Sequence, residues 1–111
     1  MDEIKILLVN PDAEQLDDDR DVLRSMGVTP IVCLGPERTK GCALLRGWHC
    51  PKVESADAIG LELDLEVPDH RDLLIRYATG VDRPVVLMSE PSSSLEDVIQ
   101  LAVERKLEQP A

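Results

Sequence analysis

Apolar residues form four short runs along this chain, and the segments between the runs carry apolar residues at helical spacing. The runs cover residues 4–9, 28–34, 58–63 and 84–89 and are dominated by Val, Ile and Leu. Continuous apolar runs of this length predict strands whose two faces are both buried. Because helical segments alternate with the runs, the pattern indicates parallel strands joined by helices.

Three helices are predicted, at 13–26, 69–79 and 94–107. Asp12 is placed to cap the first helix, and Gly27 to follow its last turn. The residues expected to face the core share helical spacing: Leu16, Val22, Leu23, Met26, Leu73, Leu74, Tyr77, Val98, Leu101 and Ala102. The segment 35–55 has no regular period, so we expect a long loop that carries cysteines.

These elements predict one α/β domain over residues 1–111, with helices on both faces of an open, flavodoxin-like parallel sheet. Right-handed crossovers favour the strand order 2-1-3-4. Pro30 interrupts backbone hydrogen bonding, so the second strand belongs at an edge of the sheet. Open α/β sheets bind ligands beyond the carboxyl ends of their strands where the strand order reverses, here between the first and third strands.

The acidic balance of the chain excludes several partners. Asp and Glu total 22 against 12 Lys and Arg, which gives a formal net charge of −10. Nucleic acids and anionic membranes call for a basic footprint, so neither is an expected partner. We find no signal peptide and no apolar run of the ~20 residues needed to cross a membrane, and therefore expect a cytoplasmic protein with reduced cysteines.

Polar residues follow the three strand ends that converge on the predicted crevice. Asn10 and Asp12 follow the first strand, Asp64 and Glu66 the third, and Ser89 ends the fourth. Carboxylate and amide oxygens are suitable ligands for a divalent cation. The sequence therefore makes these five residues the candidate crevice.

The run Asp64-Leu65-Glu66-Val67-Pro68 resembles the motif of response-regulator receiver domains. In receivers the phospho-accepting Asp ends the third strand and a Pro follows four residues later. Ser89 stands where receivers place a Ser or Thr that contacts the phosphoryl group, and Asn10-Pro11-Asp12 stands at the acidic pair that holds the cation. The resemblance implies a receiver fold, with Asp64 as the equivalent of the phospho-acceptor.

The chain departs from the receiver pattern at two places. Pro11 has no side-chain oxygen and Asn10 no charge, although phosphoryl transfer needs a cation held by such groups. No fifth strand with its Lys is predicted, and Lys106 falls on the last helix. We therefore expect a degenerate receiver: a non-catalytic regulatory or protein-interaction module without a cofactor, with a protein partner and a homodimer that covers the sheet edges.

Two other functions remain open. Cys33, Cys42, His49 and Cys50 carry groups that bind zinc, and Cys42 and Cys50 are spaced to form a disulfide across the loop, which would make a metal or redox module. Alternatively, the crevice at Asp64 binds a small ligand or accepts a phosphoryl group with a divalent cation. His70 is expected to be solvated or capping, and Trp48 to be either a contact anchor or a plug.

Overall fold

The computed structural model describes residues 3–35, 42–88 and 95–108. In these ranges four strands and four helices alternate: β1 (Lys5–Val9), α1 (Ala13–Ser25), β2 (Thr29–Cys33), α2 (Pro51–Ser55), β3 (Ala58–Leu61), α3 (Pro68–Gly80), β4 (Val85–Leu87) and α4 (Leu95–Glu108).

All strand pairs are parallel, and the sheet has the order β2-β1-β3-β4, which confirms the predicted fold class and topology. Val9 is aligned with Cys33 on one side and with Leu61 on the other, so the carboxyl ends of β2, β1 and β3 lie level. Pro30 lies in the edge strand β2, as its missing N–H predicts.

Side chains that alternate along the strands divide the core into two halves. Leu7 and Val9 point toward α2 and α3, whereas Ile6 and Leu8 point toward α1 and α4. Both halves are almost entirely aliphatic, with Tyr77 the single aromatic residue among the buried apolar side chains of the described segments. Burial of these strand residues on both faces explains why each strand is a continuous apolar run.

Helix α4 returns to the face of the sheet that α1 covers, and Gly60 allows its close approach. A Cβ atom at Gly60 would lie 2.6 Å from Met88 Sδ, 3.2 Å from Leu8 Cδ2 and 3.4 Å from Val98 Cγ2. Val98 and Ala102 are fully buried there. A glycine in the middle of a strand thus makes room for a neighbouring helix.

Helix α1 has the predicted N-cap but a narrower apolar face than predicted. Asp12 accepts hydrogen bonds from the N–H groups of residues 14 and 15, and Gly27 follows the helix with a φ of +78°. Leu16 and Leu23 are buried, whereas Val22 and Met26 are 44% and 54% exposed. Placing Val22 and Met26 in the core was wrong: Val22 lies beside the helix face that Leu16 and Leu23 bury, and Met26 follows the last helical residue, Ser25.

The predicted loop 35–55 contains the short helix α2, which the sequence pattern did not indicate. Pro51 occupies its first turn, where a missing N–H costs nothing, and Val53 is buried against the sheet. Five residues are too few to show a helical period. Before α2, a turn is closed by hydrogen bonds from Arg46 N to Cys42 O and from Trp48 N to Ala43 O.

Candidate functional site

A cleft of about 470 Å³ opens at the carboxyl ends of β1 and β3, at the predicted switch point of the sheet. Its lining comes from the end of β1, the exposed side of α1, the end of β3 and the residues on either side of the β4–α4 connection. The lining residues are Asn10, Asp12, Gln15, Asp19, Glu62, Met88 and Leu95.

Asn10 and Asp12 line the cleft, and each uses its Oδ1 to accept backbone N–H groups. Asn10 is buried, its N–H donates to Cys33 O at 3.0 Å, and its Oδ1 accepts the N–H of Asp12 at 2.9 Å. Asp12 Oδ1 accepts the N–H groups of Glu14 and Gln15 at 3.1 and 3.3 Å. Both side chains therefore hold the turn that starts α1.

Glu62 supplies the β3 carboxylate in the cleft, and it is not among the residues predicted for the crevice. Its N–H donates to Val9 O at 2.8 Å, which extends the β1–β3 pairing by one residue. Burial raises the pKa of Glu62, and the neighbouring charge of Asp19 raises it further. The alternation of side chains along β3 was the sequence signal that could have identified Glu62. Glu62 lies two residues after Gly60 and therefore on the same face of the sheet, the one that α1 and α4 cover.

Asp64 and Glu66 lie outside this lining and are exposed. Strand β3 ends at Leu61, two residues earlier than predicted, and Asp64 begins a turn in which its C=O accepts the N–H of Val67 at 3.0 Å. Asp64 Oδ1 accepts the N–H of Glu66 at 3.1 Å, as a carboxylate that stabilises a turn does. Ser89 lies outside the described residues.

His70 stabilises the same turn and is only 1% exposed. The prediction of a solvated or capping histidine was therefore wrong. Its Nδ1 accepts the N–H of Asp64 at 2.9 Å. His70, Leu73 and Tyr77 are the buried residues of α3, and their spacing of three and four residues is that of one helix face. That spacing was the signal for a buried position.

The three cysteines all pack against the half of the core that contains Tyr77, but His49 is not among the residues of that half. Cys33, Cys42 and Cys50 are half-buried thiols that pack against the α2 and α3 half of the core. Burial raises the pKa of the Tyr77 hydroxyl strongly, and nearby Cys50, Cys33 and Cys42 add to this effect in that order.

The His49 side chain is 93% exposed and lies 3.1 Å from Glu54. Within the described ranges, no three His, Cys, Asp or Glu side chains are grouped to hold a metal ion. The described cysteines therefore share one half of the core with Tyr77 but do not form a set of metal ligands.

A buried ion cluster occupies the opposite, amino-terminal end of the sheet, and no sequence motif indicated it. Asp57 is 4% exposed, and its Oδ1 accepts from Arg105 Nη1 at 3.0 Å and from Lys106 Nζ at 3.2 Å. Its Oδ2 accepts the N–H of Lys5 at 2.9 Å. Asp57 thus ties the start of β1, 52 residues before it in the chain, to the last turns of α4, 48 residues after it.

Trp48 is 62% exposed, so it does not plug the core. Its ring lies 5.4 Å from the Arg46 guanidinium carbon, within cation–π range. Among the described helices, none has the length and apolar content required to cross a membrane.

The fold and the position of the cleft define an open α/β protein of flavodoxin-like layout. Comparisons with protein-family models, with curated proteins and with solved structures give no match. The function must therefore be inferred from the residues of this chain.

Proposed function

We propose that this protein is a non-catalytic, receiver-like module that acts through contact with another protein. The observation that carries the proposal is the hydrogen bonding of Asn10, the residue that follows β1 and lines the cleft. There Asn10 replaces a carboxylate, and its oxygen is committed to the N–H of Asp12. Phosphoryl transfer needs charged oxygens free to hold a cation beside the acceptor. The exposed turn position of Asp64 also supports the proposal, because a phospho-acceptor must face that cation.

Incubation with a small acyl phosphate and Mg²⁺, followed by intact mass measurement, tests this proposal. We expect no species heavier by one phosphoryl group under conditions that label an authentic receiver domain run in parallel. Stable labelling of the wild-type protein that is lost in Asp64→Asn or Glu62→Gln would overturn it. Such labelling would make Asp64 or the cleft carboxylate Glu62 a phospho-acceptor.

A thiol-based function is the second candidate, and the packing of all three cysteines against the same half of the core favours it. Three thiols from β2, the 42–50 segment and the residue before α2 pack against one half of the core. Two-electron oxidation of two of these thiols by a peroxide would form one disulfide and release water. The expected result is loss of two alkylatable thiols on mild oxidation, restored by a dithiol reductant.

The single variants Cys33→Ser, Cys42→Ser and Cys50→Ser identify the pair, because the variant that lacks only the third cysteine still loses two thiols. Oxidation to species that no dithiol reverses, or retention of all three alkylatable thiols, would contradict the thiol-based function.

A further inference from the structure

The outer edge of β2 is partly blocked. Thr29 N donates to Ile4 O and Cys33 O accepts from Asn10 N, so every second residue of β2 faces β1. The groups of Pro30 and Val32 consequently point away from the sheet. Pro30 has no N–H to offer, and Val32 O accepts a hydrogen bond from Lys52 Nζ at 2.7 Å. Proline and an inward-turned lysine are devices that protect an edge strand from pairing.

The outer edge of β4 has no such protection. Pro84 O accepts from Ile59 N at 2.9 Å, and Met88 N donates to Leu61 O at 2.6 Å, so these residues face β3. Val85 and Leu87 therefore turn both N–H and C=O outward. In the part of the chain that the structure describes, none of these four groups has a hydrogen-bond partner. β4 thus carries an open pairing edge.

This edge is self-complementary under a two-fold axis. In an antiparallel pair of β4 strands centred on Val86, Val85 of one copy faces Leu87 of the other, and the reverse. Residues opposed in this way exchange two hydrogen bonds at each pair, so all four open groups of each copy are satisfied. Val85 and Leu87 are half-buried apolar residues on the α3 side, and they would gain cross-strand contacts.

We propose that two copies of this chain pair through their β4 edges, antiparallel about Val86, and join their sheets into one. This deepens the proposed interaction function, on which it rests, by naming a second copy as the partner. The open edge spans only about 10 Å of strand, so the dimer is weak and reversible. Dimer formation and phosphoryl labelling are separate readouts, so either proposal can fail while the other stands.

The test compares two proline substitutions that each remove one outward N–H from an edge strand. Sedimentation velocity over a concentration series is expected to show a reversible dimer for the wild type and for Val32→Pro. Leu87→Pro deletes two intermolecular hydrogen bonds per dimer and is expected to weaken dimerisation by about 10–100-fold. A monomer at every concentration, or equal weakening by both substitutions, would overturn the proposal.

Amide hydrogen exchange of the unmodified protein keeps the test decisive where Leu87→Pro does not fold. The Val85 and Leu87 amides are expected to exchange more slowly as the concentration rises, while the outward Val32 amide exchanges at a constant rate. Exchange of Val85 and Leu87 that does not depend on concentration contradicts β4 pairing, even if a dimer is present.

Discussion

At the scale of single residues, Asp57 has the most concentrated set of polar contacts described. Its two carboxylate oxygens bind Arg105, Lys106 and the N–H of Lys5. Removal of one partner from a buried ion cluster leaves charges without compensation, which is far more costly than loss of a surface pair.

We expect Asp57→Ala to lower the free energy of unfolding by about 3 kcal/mol. Asp57→Asn retains an acceptor for the N–H of Lys5 and is expected to cost less. Urea unfolding followed by far-UV circular dichroism measures both, with the exposed Asp18→Ala as control. Equal stability of Asp57→Ala and Asp18→Ala would show that the cluster is energetically neutral.

The ionisation of Glu62 makes the stability of the folded protein depend on pH. Its pKa in the folded protein is raised above the ordinary 4.5, by burial first and Asp19 second. Its protonated form therefore favours folding below pH 4.5, and this stabilisation is lost as the pH rises through the raised pKa. We expect Glu62→Gln to raise the urea midpoint at about pH 7 and to leave it unchanged at about pH 4.

The matched control for this pH dependence is Glu66→Gln, whose side chain is exposed. It should leave the urea midpoint unchanged at both pH values. A Glu62→Gln effect of the same size under both conditions would mean that side-chain size, and not ionisation, sets the stability.

Local residue roles could be predicted from the sequence, and those that depend on distant partners could not. Asp12 was identified as a cap because the N–H groups that it accepts follow two and three residues later. Asp57 and Glu62 depend on Arg105 and on the β1–β3 register, which only the folded chain supplies. Asp64 was favoured by a short motif, and the early end of β3 at Leu61 places it outside the cleft lining.

At the scale of elements, the packing of α4 on the sheet depends on the missing side chain of Gly60. Gly60→Val would place new atoms against Met88, Leu8 and Val98, and overpacking a tight contact costs about 1–3 kcal/mol. Gly60→Ala should cost less, because the Met88 sulfur that lies nearest belongs to a flexible side chain.

Gly80→Ala is the control for Gly60, since a Cβ at this last residue of α3 meets no described atom within 4 Å. It is expected to stabilise the protein slightly by restricting the unfolded chain. Thermal unfolding of the three variants measures these differences. A Gly60→Val variant as stable as the wild type would show that α4 can move away from the sheet without loss.

The existence of the four strands could be predicted from the apolar runs. The exact ends of the elements and the short helix α2 could not. All four strands lie within the predicted runs because buried parallel strands need continuous apolar sequence. β3 and β4 are shorter than predicted, since a run continues into residues that pack without pairing, such as Leu63. Helix α2 shows no period because it is little more than one turn.

At the scale of the whole molecule, net charge opposes the compact state. The formal charge of −10 produces repulsion that salt screens. The Debye length falls from about 30 Å to about 10 Å between about 0.01 and 0.1 M salt. We expect the thermal midpoint to rise over that range in NaCl, and to rise less in a variant with Asp18→Lys and Asp21→Lys.

A midpoint that falls with added NaCl would contradict this expectation. It would show that attractive pairs, of which the Asp57 cluster is the largest described, outweigh the net repulsion.

The sheet order could be predicted because right-handed crossovers leave few alternatives. The return of α4 to the α1 face could not, since the apolar pattern of a helix does not indicate which face of a sheet it covers. The sequence predicted only part of the difference in protection between the two sheet edges. Pro30 indicated one blocked edge, whereas Lys52 closes it from a helix that the sequence pattern concealed.

The exposed position of Trp48 divides the optical signals of this molecule between two regions. Trp48 is the single tryptophan and lies on the 42–50 segment, whereas Tyr77, the single tyrosine, is in the core. Tryptophan fluorescence therefore reports on that segment, and tyrosine absorbance reports on the core. Local detachment of the segment would appear as a fluorescence transition that precedes the global one, so neither probe alone defines a folding equilibrium for this chain.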